Sequence, residues 1–152
     1  MATFNRSKAE LRKAWLTARR SLSPAAQAAK SQALCQQLQQ HPGFRAPNAV
    51  VLSYFSIRQE PDLMPLMALM PQVRWGFPRI EGEALHWHAW QLGQPLIQGA
   101  FNIPEPPLGN PTIDRPTLML IPCVGADRQG FRLGYGGATT IACWLIQPGR
   151  IL

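Results

Sequence analysis

Two short runs of mostly apolar, β-favouring residues, Ala49–Phe55 (AVVLSYF) and Thr117–Val124 (TLMLIPCV), set the strongest limit on how this chain folds. Neither alternates polar with apolar residues and each is too short for a buried helix, so both read as strands covered on two faces. Strands of that kind occur in parallel sheets, and parallel neighbours need crossover connections, usually helices. The intervening sequence supplies them. Residues 7–21 place Leu11, Ala14, Trp15, Ala18 and Leu22 at helical spacing, which predicts an amphipathic helix with its Lys and Arg on the other side. Ser23-Pro24 then gives a capping residue and a first-turn proline ahead of an Ala/Gln-rich helix running to Gln40. His41-Pro42-Gly43 ends it. A further helix is expected over Leu63–Met70, with Pro65 in its first turn.

Val73–Pro78 and Ala84–Trp90, joined through Glu81-Gly82-Glu83, read as an antiparallel pair, the second with the alternation LHWHAW. A proline-rich connection over 94–116 forbids regular helix and predicts an extended crossing. The pattern implies an α/β fold: an open, doubly wound, mainly parallel sheet of the Rossmann-like three-layer kind. In such sheets ligands sit beyond the carboxyl ends of the strands. Glu60 and the glycine-rich stretch Gly125–Gly137 (GADRQGFRLGYGG) both fall there.

At 152 residues and 46% apolar content one core is expected, and a formal charge of +7 favours phosphate- or carboxylate-bearing partners. The excess concentrates in the first thirty residues, where Arg6, Lys8, Arg12, Lys13, Arg19, Arg20 and Lys30 face one acid, Glu10. Lys8 and Arg12, one turn apart, can clamp one phosphate group, although a charged helix side is often only a solvated face. The glycine stretch fits neither a dinucleotide fingerprint nor a P-loop, so a phosphate cradle and a tight structural turn both stay open. Tryptophans sit in strand candidates and are not interleaved with cations, so no nucleic-acid module is expected. His86 and His88 share a strand face but lack a third ligand, and exposed positions are their expected home. Cys35, Cys123 and Cys143 are widely spaced, as reduced, mostly buried thiols in a cytoplasmic protein would be. The start has no apolar signal region, and no segment is long and apolar enough to span a bilayer.

Taken in order, KAELRK, SYFSIRQEPDL, FPRI, FNIPEP and above all LIPCVGADRQGFRLGYGG resemble the 5-formyltetrahydrofolate cyclo-ligase (5,10-methenyltetrahydrofolate synthetase) family from Lys8 to Gly137. The resemblance implies a doubly wound α/β fold and an ATP- and magnesium-dependent closure of 5-formyltetrahydrofolate to 5,10-methenyltetrahydrofolate, with release of ADP and phosphate. It implies ATP contacts at Lys8, Ala9, Glu10, Leu11 and Arg12 and at Arg132, Leu133, Gly134, Tyr135, Gly136 and Gly137, with Arg132 the catalytic cation on phosphate. Folate contacts are implied at Ile57, Glu60 and Asp62. The expected partners are these two small molecules, with no nucleic acid, no membrane and a monomeric chain.

After Gly137 the resemblance stops. Relatives continue with a glycine, two tyrosines and a magnesium-binding aspartate, where this chain has Ala138, Thr139, Thr140 and Ile141, so no metal ligand is assigned. The string GCT ACT ACG ATC GCC TGC TGG CTN encodes Ala138–Leu145; preceded by G and read one base earlier, it encodes Gly-Tyr-Tyr-Asp-Arg-Leu-Leu-Ala. The expected organisation is therefore a cyclo-ligase-like domain over 1–137, truncated at its carboxyl end, followed by an aberrant tail over 138–152. Activity in this form is in doubt, and the alternative is a nucleotide- or folate-binding remnant without turnover.

Overall fold

The computed structural model describes residues 7–136. Its first helix, α1 (Lys8–Arg20), opens on a reciprocal cap: the Glu10 N–H donates to Ser7 Oγ at 3.3 Å, and the Ser7 N–H donates to Glu10 Oε2 at 2.7 Å. Arg19 and Arg20 in its last turn complement the helix dipole. Helix α2 (Pro24–Gln39) starts as expected, with the Ala26 N–H donating to Ser23 Oγ at 3.2 Å and Pro24 in the first turn. A single turn, α3 (Pro42–Arg45), buries Phe44 and leads into β1 (Val50–Leu52). Helix α4 (Met64–Leu69) follows, then β2 (Arg74–Glu81) and β3 (Ala84–Ala89). The chain continues through β4 (Ile97–Gln98) and β5 (Pro104–Glu105), a small antiparallel pair, to β6 (Leu118–Met119). It closes with the hairpin β7 (Gly125–Ala126) and β8 (Arg132–Leu133).

The main sheet has the order β3-β2-β1-β6, with β1 parallel to both β2 and β6 and only β3 antiparallel. This is the mostly parallel α/β sheet that the apolar runs require. The regular strands are shorter than those runs, because β6 pairs with β1 only at Leu118 and Met119 before the chain leaves the sheet. By contrast β2 runs on to Glu81, past Pro78. Proline is tolerated there because β1 pairs with β2 only from Arg74 to Gly76, so the missing N–H faces no parallel partner.

One face of the sheet holds the core. Val51, Trp75 and Phe77 pack there under Cys35 of α2, Phe44 of α3 and Leu66 and Met67 of α4. Phe55 stacks on Phe77 at 4.3 Å between centroids, and Trp90 meets both edge-on at 5.4 and 5.3 Å. On the opposite face, beside Leu52 and Gly76, the cover among the described residues comes from Ile113 of the proline-rich crossing. That crossing pairs with β3, the Ala89 N–H donating to the Pro111 carbonyl and the Ile113 N–H to the Trp87 carbonyl, both at 2.7 Å.

His88 corrects an expectation. It is buried, not exposed: Nδ1 lies 2.9 Å from the Asn110 carbonyl and Nε2 lies 2.8 Å from Glu81 Oε1, while His86 is exposed. Cys35 and Cys123 are free thiols, and burial pushes both above the ordinary thiol range; Cys143 lies outside the described residues. No described helix is long and apolar enough to cross a membrane.

Candidate functional site

Helix α1 leaves Lys8, Lys13 and Arg20 exposed but turns Arg12 and Arg19 onto the protein. Lys8, Arg12, Trp15 and Arg19 recur at helical spacing along one stripe, of which Arg12, Trp15 and Arg19 meet the glycine-rich segment. The indole of Trp15 rests on Gly125, where an added Cβ would come within 2.1 Å of Trp15 Cε3 and Cζ3, so only glycine allows the contact. Arg12 Nε donates to the Gly134 carbonyl at 2.7 Å. Two turns later, Arg19 Nη1 donates to the Tyr135 hydroxyl at 2.6 Å, and Nη2 donates to the carbonyls of Cys123 and Val124 at 2.7 and 3.0 Å. Arg12 and Arg19 therefore belong to a packed interface, a departure from the expectation of a cationic side turned away from the apolar one. Their partners lie more than a hundred residues further on, which no local periodicity reports.

The glycine segment divides into two parts. Residues 125–133 form a structural turn. Val124 N–H donates to the Leu133 carbonyl at 2.8 Å, and Asp127 Oδ1 accepts the N–H groups of Gln129 and Phe131, both at 2.9 Å, with Gly130 at φ 90°. Residues 134–136 instead run alongside α1, and Gly136 takes φ 89° beside the Arg12 guanidinium. Arg132 is exposed opposite Ala126 in the hairpin, two residues before Gly134. Lys8 and Ala9 are exposed at the start of α1, and Leu11 is half-buried. The Glu10 carboxylate is engaged in capping Ser7. Gly137 lies outside the described residues.

Beyond β1, Glu60 is 2% exposed. Its carboxylate accepts the Ile57 N–H at 3.1 Å on Oε2 and the Tyr135 hydroxyl at 2.5 Å on Oε1. The expected folate-side residues Ile57 and Glu60 are thus joined to Tyr135 of the glycine segment, and through it to Arg19. Burial and the adjacent Glu60 carboxylate push the Tyr135 phenol up to about 12, so at neutral pH it is a donor to Glu60 and an acceptor from Arg19. Asp62 takes a different direction. Its Oδ1 accepts the Met64 N–H at 3.0 Å at the entry to α4, and its own N–H donates to Ser31 Oγ at 3.0 Å, which ties the loop to α2.

Among the described residues, ion pairing is confined to one end of the sheet. Among the described residues the ion pairs join Arg79, Glu81, Glu105 and His88 at the far end of β2 and β3. None involves Lys8, Arg12, Lys30 or Arg132. Of these, Arg12 bonds the Gly134 carbonyl and Arg132 lies in the adjoining hairpin, neither paired with a carboxylate among the described residues. A magnesium site is not offered: no group of three or more His, Cys, Asp or Glu gathers among the described residues, and Ile141 lies outside them.

The chain is 30% identical over 142 residues to a 5-formyltetrahydrofolate cyclo-ligase of Mycolicibacterium smegmatis, covering 86% of this chain and 71% of the relative. The solution structure of Aquifex aeolicus 5,10-methenyltetrahydrofolate synthetase superposes with a TM-score of 0.83 at 28% identity, over 95% of this chain and 75% of that one. A 5,10-methenyltetrahydrofolate synthetase from Mycoplasma pneumoniae shares the fold, with a TM-score of 0.62 at 20% identity over 86% of this chain and 73% of that one. The 5-formyltetrahydrofolate cyclo-ligase family matches residues 4–139, a span that takes in α1, the Glu60 loop and the glycine segment together. With its fold matched over 95% of its length and the family matched over residues 4–139, the chain belongs to the 5-formyltetrahydrofolate cyclo-ligase family of enzymes.

Proposed function

We propose that this protein binds ATP and 5-formyltetrahydrofolate side by side and closes the folate to 5,10-methenyltetrahydrofolate, releasing ADP and phosphate in the cytoplasm. One observation carries the reading: the Arg12–Gly134 and Tyr135–Glu60 hydrogen bonds draw the cationic helix, the glycine segment and the acid beyond β1 into one place. Lys8, Arg12 and Arg132 receive the phosphates, with the amides of the 134–136 stretch, while Ile57 and Glu60 border the pterin. The formyl oxygen takes the γ-phosphoryl group, the neighbouring side-arm nitrogen attacks the activated carbon, and phosphate leaves. What the protein supplies is alignment of the two ligands and charge for the transferring phosphoryl group.

Within this reading Asp62 supports the loop through α4 more than it contacts ligand. The sequence beyond Gly137 favours a second reading, binding without turnover, because Ile141 stands where the family's aspartate is expected. Formation of methenyl product from both substrates, followed by its absorbance with and without ATP, separates the two. ATP-dependent product establishes the ligase, whereas binding of both ligands with no product establishes the remnant. We attribute residues 138–152 to a one-base shift. Sequencing the gene across codon 137 tests this, and a gene unable to encode Gly-Tyr-Tyr-Asp there in any frame overturns it.

A further inference from the structure

Glu60 is closed to any ligand in this conformation. Its side chain is 2% exposed, and its carboxylate is engaged on both oxygens, by the Ile57 N–H on Oε2 and by the Tyr135 hydroxyl on Oε1. The two donors differ in kind. Ile57 belongs to the same tight turn as the acid: the Glu60 N–H donates to the Ile57 carbonyl at 2.9 Å, and the Glu60 carbonyl accepts from Ser56 Oγ at 2.7 Å and Gln27 Nε2 at 3.1 Å. That turn is pinned to α2 and keeps its acid in place. Tyr135 comes from the glycine segment, 75 residues further along the chain, and is the donor that can leave.

Two arginines of α1 hold Tyr135 there. Arg19 Nη1 donates to its hydroxyl, and Arg12 Nε donates to the carbonyl of the preceding Gly134. A phosphate oxygen, charged as well as able to align, is a stronger partner for a guanidinium than a neutral carbonyl. An anion that takes Arg12 therefore removes the bond that ties down Gly134. The segment can respond at that residue. An added Cβ at Gly134 would meet nothing within 4 Å and its φ is not left-handed, so this conformation alone does not call for glycine there.

We propose that Tyr135 is a latch on Glu60: its hydroxyl occupies the acid in the absence of nucleotide, and phosphate binding at Arg12 releases Gly134 and Tyr135 and opens Glu60 to the folate. Each ligand thereby strengthens the binding of the other. This rests on the function proposed above, which gives the phosphates to Arg12 and the pterin to Glu60.

Calorimetric titration of the full chain with 5-formyltetrahydrofolate, alone and with saturating ADP, tests the latch, since ADP has no γ-phosphoryl group to transfer and the pair stays unreacted. The expected result in the wild type is folate affinity raised about 5- to 50-fold by ADP, and ADP affinity raised by the same factor by folate. Tyr135→Phe keeps the ring and removes the hydroxyl that closes Glu60. In this variant folate without ADP is expected to bind within about twofold of the wild type with ADP, and added ADP to change that by less than about twofold. Tighter folate binding in a variant that has lost a hydrogen bond is a result a merely structural tyrosine would not give. The same ADP-dependent factor in Tyr135→Phe as in the wild type overturns the latch. So does wild-type folate binding that ADP leaves unchanged, or weaker folate binding in the variant. Absence of folate binding under both conditions overturns the latch and the function together. Coupled binding without methenyl product from ATP refutes turnover and leaves the latch standing.

Discussion

The far end of β2 and β3 and the α1–glycine interface are both rich in charge, yet they are built on opposite terms. At the first, Arg79 lies 3.6 Å from Glu81 and 3.9 Å from Glu105, Nη1 donates to the Pro106 carbonyl at 2.8 Å, and His88 closes on Glu81. Arg79 and Glu105 are 12% and 7% exposed at their side chains, so these charges answer one another inside the protein. At the second, Arg12 and Arg19 bond to neutral oxygens, and Lys8 and Arg132 make no ion pair among the described residues. A charge cluster that neutralises itself supports the fold, whereas cations unmatched by a described carboxylate are what the proposed phosphate site requires. Net charge alone does not distinguish them.

The sharpest way to break this contrast is to open the self-neutralised cluster. Arg79→Met leaves Glu105 buried without its cation, and the expected loss is about 3–5 kcal/mol in urea unfolding. Ligand affinity in the surviving folded fraction is expected to stay within about twofold. Equal damage to stability and to affinity would erase the distinction between the two regions. Arg19→Met comes next, because it removes three charge-assisted hydrogen bonds that hold α1 to the glycine segment. Partial exposure reduces their worth, so about 2 kcal/mol of destabilisation is expected, with weaker binding of both nucleotide and folate. Loss of affinity for only one ligand would show that Arg19 does not join the two halves of the site.

The two regions also differ in how far they could be read from the chain. The order of helices and strands was legible because each element carries a local signal: the Ser23-Pro24 start of α2, the unbroken apolar run around Val51, and the alternation through Trp87. The candidate site was legible only through its resemblance to a family. Composition marked Arg12 as charged but not as facing Gly134, a contact made beside the shelf that Gly125 gives Trp15, far along the chain. His88 was misread for a related reason. Its burial is made possible by the Asn110 carbonyl and by Glu81, one of them delivered by a proline-rich crossing that has no periodicity to interpret. Long-range hydrogen bonds to backbone leave no pattern in side-chain order.

Lys8→Gln probes the second region from its exposed edge. With no partner to lose, stability is expected to change by less than about 0.5 kcal/mol, while KM for ATP rises about tenfold with a smaller change in kcat. A stability loss with unchanged KM would mean that Lys8 serves the helix and not an anion.

The smallest effect belongs to Tyr135 and depends on pH. Its phenol is raised from an ordinary 10.0 to about 12, first by burial and then by the bond to Glu60 and that group's charge. A group whose folded value lies above its unfolded value contributes stability that is fully present below the unfolded value and is lost as pH passes through the folded one. The contribution is therefore constant up to about pH 10 and declines towards pH 12, where a phenolate would stand beside the Glu60 carboxylate. Tyr54, also raised by burial, changes in the same direction in both proteins, so the informative quantity is the difference between wild type and Tyr135→Phe. At neutral pH the variant is expected to be less stable by about 1 kcal/mol, having lost the hydroxyl shared by Glu60 and Arg19. That gap should close between pH 10 and 12. A gap that stays constant over this interval would show that the hydroxyl is not what couples the glycine segment to the acid beyond β1.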